Sequence, residues 1–260
     1  SYKNVADAEV YAICDIDPVR LKMTADKFGI ERRYPDIDSM LKDLPELDAA
    51  DVCVWNCSHA ECSIKALNAG LHVLCEKPMA YNTEQAVQMQ EAAKKNNKLL
   101  MIGFVLRFSD DAKIAKDFID QGYLGDIYYA KAHAIRRRGV PTWGVFLNEE
   151  EQGGGPLIDI GTHALDITLW TMNNYKPKMV VGKTYRKLAD QVDTANAWGD
   201  WDPKKYTVED SAFGFITMEN GATIELEASW ALNTLDVKEA KCTLCGTKAG
   251  ADMVDGLRIN

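Results

Sequence analysis

Three places in this 260-residue chain combine side chains whose type and spacing suit chemistry. The first is Asp15, directly after the apolar run EVYAIC that ends at Cys14. If that run is a strand of a doubly wound sheet, the carboxylate sits at the strand's C-terminal edge. An acid there accepts hydrogen bonds from an adenosine ribose 2′-hydroxyl and repels a 2′-phosphate. The same residue is equally well read as the start of the turn Asp15-Ile16-Asp17-Pro18. The second place is Glu76-Lys77-Pro78, immediately after the run HVLC. Pro78 keeps Lys77 out of helical geometry and presents its ammonium from a loop at the sheet edge where ligands of open α/β sheets bind. Away from such an edge, the pair is a solvated surface contact of little consequence.

The third place is the most telling by spacing. Gly153-Gly154-Gly155-Pro156 precedes LIDIGTHALDITLW, and proline is the expected first residue of a helix. At about 100° per residue, Asp159, Thr162, His163 and Asp166 fall within one arc of roughly 100°. Leu157, Ile160, Ala164 and Ile167 lie opposite and are expected to face a core. Two carboxylates, a hydroxyl and an imidazole on one stripe suit an active site; the plain alternative is a solvent-facing stripe with a hydrogen-bonded His163.

The elements that must position these groups alternate in the first half. Strands are expected at 9–14, 51–55, 72–75 and 99–105. Helices are expected at 18–28, stopped by Gly29, at 59–68, ended by Gly70, and at 83–96, with Thr83 as N-cap. Such alternation indicates βαβ units and a parallel sheet covered on both faces. After about Gly125 the pattern changes to period two at 127–136, 208–218 and 222–230. Asn220-Gly221 between the last two runs is a strong hairpin signal, so an antiparallel, open-faced sheet with packed helices is expected there. The division predicted is residues 1–106 and 107–260.

Lys+Arg 30 against Asp+Glu 39 gives a net charge of −9. An acidic surface argues against general binding to nucleic-acid backbones and against docking on anionic membranes. The longest apolar stretch, residues 99–106, is far short of the ~20 residues a membrane helix requires. Seven scattered cysteines, with Cys14, Cys53 and Cys75 in apolar runs, read as reduced, buried thiols of a cytoplasmic protein. Cys242 and Cys245 have CxxC spacing but no companion pair, so they read as strand positions, as do Cys53, Cys57 and Cys62, and no metal site is expected.

HVLCEKPMA at 72–80 and GGGPLIDIGTHALD at 153–166 resemble the two signature segments of the Gfo/Idh/MocA family of NAD(P)-dependent oxidoreductases. AICDIDPVR at 12–20, the pattern from Asp51 through His59 to Gly70, and Val208-Glu209-Asp210 with the later Asn220-Gly221 resemble its other elements in the same order. The resemblance implies a Rossmann-type dinucleotide-binding domain followed by an α+β domain with a large antiparallel sheet through which copies of the chain associate. It maps the catalytic lysine onto Lys77 and the helix aspartate and histidine onto Asp159 and His163. It places Asn56, His59, Glu76 and Arg107 along the cofactor with Asp15 and Lys77, and implies a cis Lys77-Pro78 bond. Trp55, where relatives usually carry Pro or Thr, departs from the pattern and bears on cofactor fit. The family's first strand, glycine loop and first helix would precede Ser1, and further residues would follow Asn260, so both ends are expected to be truncated.

The expected reaction is oxidation of a secondary alcohol on a sugar or cyclitol, with NAD favoured over NADP. His163 is the first choice of base because its ordinary pKa lies near neutrality. Asp159 would orient the imidazole or bind a substrate hydroxyl. Lys77 either stabilises developing alkoxide charge or, if desolvated, serves as the base itself. Tyr128, Tyr129, Trp143 and Arg136-Arg137-Arg138 are candidates for a substrate rim, or else a solvated loop. The competing readings are a dinucleotide- or sugar-sensing relative without turnover and an inactive fragment.

Overall fold

The computed structural model describes residues 2–260, which divide into two compact units. The first comprises residues 2–54, 58–75 and 82–101; the second comprises 55–57, 76–81 and 102–260.

In the first unit, β1 (Ala12–Cys14), α1 (Pro18–Phe28), β2 (Arg32–Tyr34), α2 (Ile37–Asp43), β3 (Ala49–Val52), α3 (His59–Asn68), β4 (His72–Cys75), α4 (Thr83–Asn96) and β5 (Leu100–Ile102) alternate, with β2 and α2 additional to the elements expected from sequence. Local chemistry sets the ends. Asp17 caps α1 by accepting from the amides of Val19 and Arg20, and Gly29 closes it in the left-handed conformation at φ 71°, where glycine carries no Cβ penalty. The cap of α4 is Asn82, whose Oδ1 accepts from Gln85 N at 2.9 Å; Thr83, the expected cap, is already helical. β1 and β2 pair in parallel, and so do β3 and β4. Among the described residues these strands are hydrogen-bonded as two ladders, β1–β2 and β3–β4–β5.

The second unit adds α5 (Asp110–Asp120), β6 (Ile127–Ile135), α6 (Glu149–Gln152), α7 (Thr162–Met172), β7 (Pro177–Tyr185), β8 (Ser211–Met218), β9 (Thr223–Ser229), β10 (Lys238–Gly246), β11 (Gly250–Asp252) and β12 (Arg258–Ile259). Its seven-stranded sheet runs β12-β11-β10-β6-β9-β8-β7. The sheet is mixed rather than wholly antiparallel, since β6 and β9 pair in parallel. A parallel pair needs a long crossover, and the chain between β6 and β9 supplies one through α6, α7, β7 and β8. The Asn220-Gly221 signal holds: β8 and β9 form an antiparallel hairpin. Its loop has three residues, with Gly221 at φ 88° donating to Met218 O and Met218 N donating to Ala222 O.

One sheet face is the core. Ala130, Ala132 and Ala134 of β6 are fully buried and pack in one cluster with Ile160, Ala164 and Ile167. A row of methyl groups lets a helix approach the strand closely. On the other face a polar row crosses four strands. Glu227 and His133 are 2.6 Å apart, His133 Nε2 is 3.2 Å from Thr243 Oγ1, and that hydroxyl donates to Asp252. The edge strand β7 is exposed along all nine residues.

The glycine-rich segment leads through Pro156 into one turn of π-helix over Leu157–Gly161, which passes directly into α7. The wider turn shifts the register assumed from sequence. Ile160, Ala164 and Ile167 are buried as predicted, but Leu157 is turned outward. The cysteines also differ from expectation. Only Cys75 and Cys242 are buried, and Cys53 is exposed, because β3 ends at Val52 and leaves Cys53 in the following loop. Among the described residues no helix is long and apolar enough to cross a membrane, and no three His, Cys, Asp or Glu side chains are grouped to hold a metal ion.

Candidate active site

The second unit gathers Lys77, Asp159 and His163. Lys77 stands on the loop after β4, with a cis bond to Pro78. Its Nζ donates to Asp159 Oδ1 at 2.9 Å and to the Asp159 carbonyl at 3.0 Å. Both partners are largely shielded from solvent, so the ion pair acts in a medium less screening than water. The other carboxylate oxygen accepts from Trp230 Nε1 at 2.8 Å, and Arg136 Nη1 lies 3.8 Å away. Asp159 is thus fixed from three sides, by a lysine, an indole and a guanidinium.

His163 lies one turn along, on the same face. Burial pushes its pKa below the ordinary value, and the positive charge of Lys77 pushes it further; the carboxylates of Asp159, Glu76 and Asp166 oppose the shift without reversing it. Its Nδ1 is buried with no hydrogen-bond partner. Such an atom costs free energy unless something meets it. A neutral imidazole beside an ion pair can take a proton from a hydroxyl group brought to its accessible side.

Glu209 sets the helix that carries these groups. Its carboxylate accepts from Gly155 N at 2.8 Å and from Leu157 N at 3.2 Å, which satisfies amides that a helix start leaves open. Gly155 is required there: a Cβ would lie 2.2 Å from Glu209 O. Neither Glu209 as a cap nor Trp230 as a donor was identified as functional from sequence. Trp230 closes an alternating run and reads as one more sheet residue.

The remaining candidates are distributed as follows. Glu76 Oε2 accepts from Lys77 N at 3.2 Å, and Gly103 lies against its carboxylate, which a Cβ would approach to 3.4 Å. Asn56 is buried and donates to Gln152 O at 2.8 Å. Arg107 pairs through two nitrogens with Asp166, so its guanidinium ties the turn Val105–Phe108 to α7. Asp15 and His59 belong to the first unit. Asp15 accepts from Asp17 N and from two nitrogens of Arg20, and that bonding to Arg20 holds its carboxyl below the usual range. His59 is fully buried, 3.1 Å from Val54 O. Of the rim candidates, Arg136 reaches the site. Tyr128 and Tyr129 sit at the opposite end of β6, roughly 20 Å away at ~3.3 Å per residue.

An aromatic series runs outward from Trp230. It passes edge to face to Phe146, then to Trp143 and to Trp198, with centroids 6.4, 5.8 and 5.1 Å apart. The Arg136 guanidinium lies 5.1 Å from the Trp198 ring.

The chain is similar to known proteins. The chain is 41% identical over 95% of its length to D-glucoside 3-dehydrogenase of Escherichia coli, of which it spans 70%. It is 32% identical over 65% of its length to myo-inositol 2-dehydrogenase of Thermotoga maritima, spanning 49% of that protein. A solved levoglucosan dehydrogenase in complex with NADH and levoglucosan superposes with a TM-score of 0.81 at 24% identity, over 96% of this chain and 66% of that one. Residues 1–104 match the model of an oxidoreductase family with an NAD-binding Rossmann fold, and residues 113–252 match the GFO/IDH/MocA C-terminal domain. With both signature segments folded around one ion pair and both family models matched, the chain belongs to the GFO/IDH/MocA oxidoreductase family.

Proposed function

We propose that the protein oxidises a secondary alcohol of a neutral sugar or cyclitol to a ketone, reversibly and with NAD. The observation that carries this reading is His163, its imidazole kept neutral by burial and by the charge of Lys77, beside the Lys77–Asp159 pair. The two bonds to Asp159 use two of the three N–H groups of Lys77. The third can hold the substrate hydroxyl by its oxygen, while His163 takes the hydroxyl proton. As the O–H bond breaks, the C–H electron pair leaves as hydride and the carbonyl forms. When bound, the nicotinamide supplies the hydride acceptor. Lys77 stabilises the negative charge that develops on oxygen, and Asp159, held by Trp230 and Arg136, keeps Lys77 pointed at it.

Asp15 fits the cofactor's adenosine end. Its carboxylate stands at the C-terminal end of β1, and three N–H bonds leave acceptor capacity for a ribose hydroxyl. That charge favours NAD over NADP. Asn56, His59, Glu76 and Arg107 are assigned to the same cofactor; the bond between Arg107 and Asp166 makes its part indirect. The division at residue 106 is kept as a separation of cofactor and substrate roles. Association of copies through the exposed sheet face and a reducing, cytoplasmic setting for the seven thiols complete the reading.

The test is cofactor reduction, followed by nicotinamide absorbance, with a panel of glucosides and inositols. Lys77→Met is expected to lower kcat by about 10²–10⁴-fold. Unchanged turnover in that variant would remove the assignment, and NAD binding without turnover on any polyol would favour a sensor.

A further inference from the structure

Beyond the reacting ring, we infer that Trp143 and Trp198 form a second subsite, a stacking platform for the neighbouring sugar ring of an oligosaccharide substrate. This rests on the sugar-oxidising reading and extends it from one ring to two.

Both indoles are half exposed, at 52% and 44%, and meet edge to face at 5.1 Å. Exposed aromatic groups of this size ordinarily fold down or pair with apolar neighbours. These two are held out by their loops. Asn196 accepts from Val140 N and donates to Val140 O, Ala197 N donates to Arg138 O, and the Thr142 hydroxyl donates to Trp198 O. Asn196 also donates to Gly199 O. The platform is therefore ordered before anything binds, which reduces the entropy lost on binding.

Its position relative to the chemistry is set by Arg136. That side chain is 3.8 Å from Asp159 Oδ2 at one nitrogen, while its guanidinium carbon is 5.1 Å from the Trp198 ring. The platform is thus one side chain away from the Lys77–Asp159 pair, a separation suited to a ring joined to the one being oxidised. The charge of Arg136 is matched by Glu239, to which it also donates, and by Asp159. With the Arg136 guanidinium already paired to carboxylates, the indole faces suit the C–H face of an uncharged sugar ring.

The test is calorimetric titration of the NADH-loaded protein with maltose, which has two rings, and with methyl glucoside, which has one. Tighter binding of maltose is expected. Trp143→Ala and Trp198→Ala are expected to remove that advantage, about tenfold for one stacked ring, and Trp143→Phe and Trp198→Phe to keep most of it. Equal affinity for both sugars, no binding of either, or an advantage that survives both alanine variants overturns the platform. A shift of the alanine variants to a lower sedimenting mass also overturns it, because the indoles would then be a contact between copies. Should maltose bind with the expected preference while no sugar reduces NAD, the oxidoreductase reading fails and the platform stands.

Discussion

Burial and the charge of Lys77 act on His163 in the same direction, and both keep its imidazole neutral to a lower pH than a free histidine. A base of this kind works only when unprotonated. Alcohol oxidation at saturating cofactor is expected to fall as pH drops through a pKa below about 6.5, and His163→Gln is expected to lose that acid limb along with most of kcat. The pH profile of kcat for the two proteins checks it. The sign for stability is the same. A histidine pKa lowered by folding means the unfolded chain binds the proton more readily, so the contribution of His163 is complete above the ordinary value and lost as pH falls toward the folded one. At this scale the sequence is informative about which residues the fold brings together and poor on how they are joined. Lys77, Asp159 and His163 are readable from type and spacing, but the 2.8 Å bond from Trp230 is not, because strand periodicity records the side a residue faces and nothing about its N–H. The partner of Arg107 is hidden for a related reason. An arginine after a strand looks ready for an anionic ligand, and only the fold brings Asp166 to it.

Helix register decides what the glycine-rich segment can do. A continuous α-helix from Pro156 would place Leu157 on the buried side; with the π turn at Leu157–Gly161 it is turned outward. Periodicity arguments assume one period throughout, so a single wide turn is invisible to them. A helix boundary is legible where a cap is local chemistry: α1 begins at Pro18 after the Asp17 cap and stops at Gly29. The parallel pairing of β6 with β9 is not legible, since it depends on which strands meet across a crossover. The close approach of Gly155 to Glu209 makes a specific forecast. Gly155→Ala would put a Cβ 2.2 Å from a backbone oxygen, and displacing Glu209 uncaps the helix that carries Asp159 and His163. A loss of stability of about 1–3 kcal/mol, in the range for forced overpacking, is expected, read as a lower midpoint in urea, together with reduced kcat.

Across the whole molecule, the acidic balance of −9 coexists with an apolar patch on β7 and β8. Val181 is 59% exposed and pairs in register with Phe215, itself 43% exposed. Exposed edges and faces of this kind invite pairing with another chain. If copies associate there, Val181→Glu sets like charges across the contact and is expected to reduce the mass seen by sedimentation velocity, with kcat little changed. An unaltered mass would place the contact elsewhere.

The division into compact units carries one more implication. The unit that holds the ion pair is built from three stretches of chain, and Lys77 reaches it on a six-residue excursion, 76–81, from within the span of the other unit. A gene exchange with one crossover near residue 106 would therefore pair a lysine loop from one parent with an aspartate helix from the other. Chimeras of this family made by swapping contiguous halves would inherit mismatched halves of the same proton-handling apparatus, whereas grafts that carry the short loop along with the second half would keep it intact.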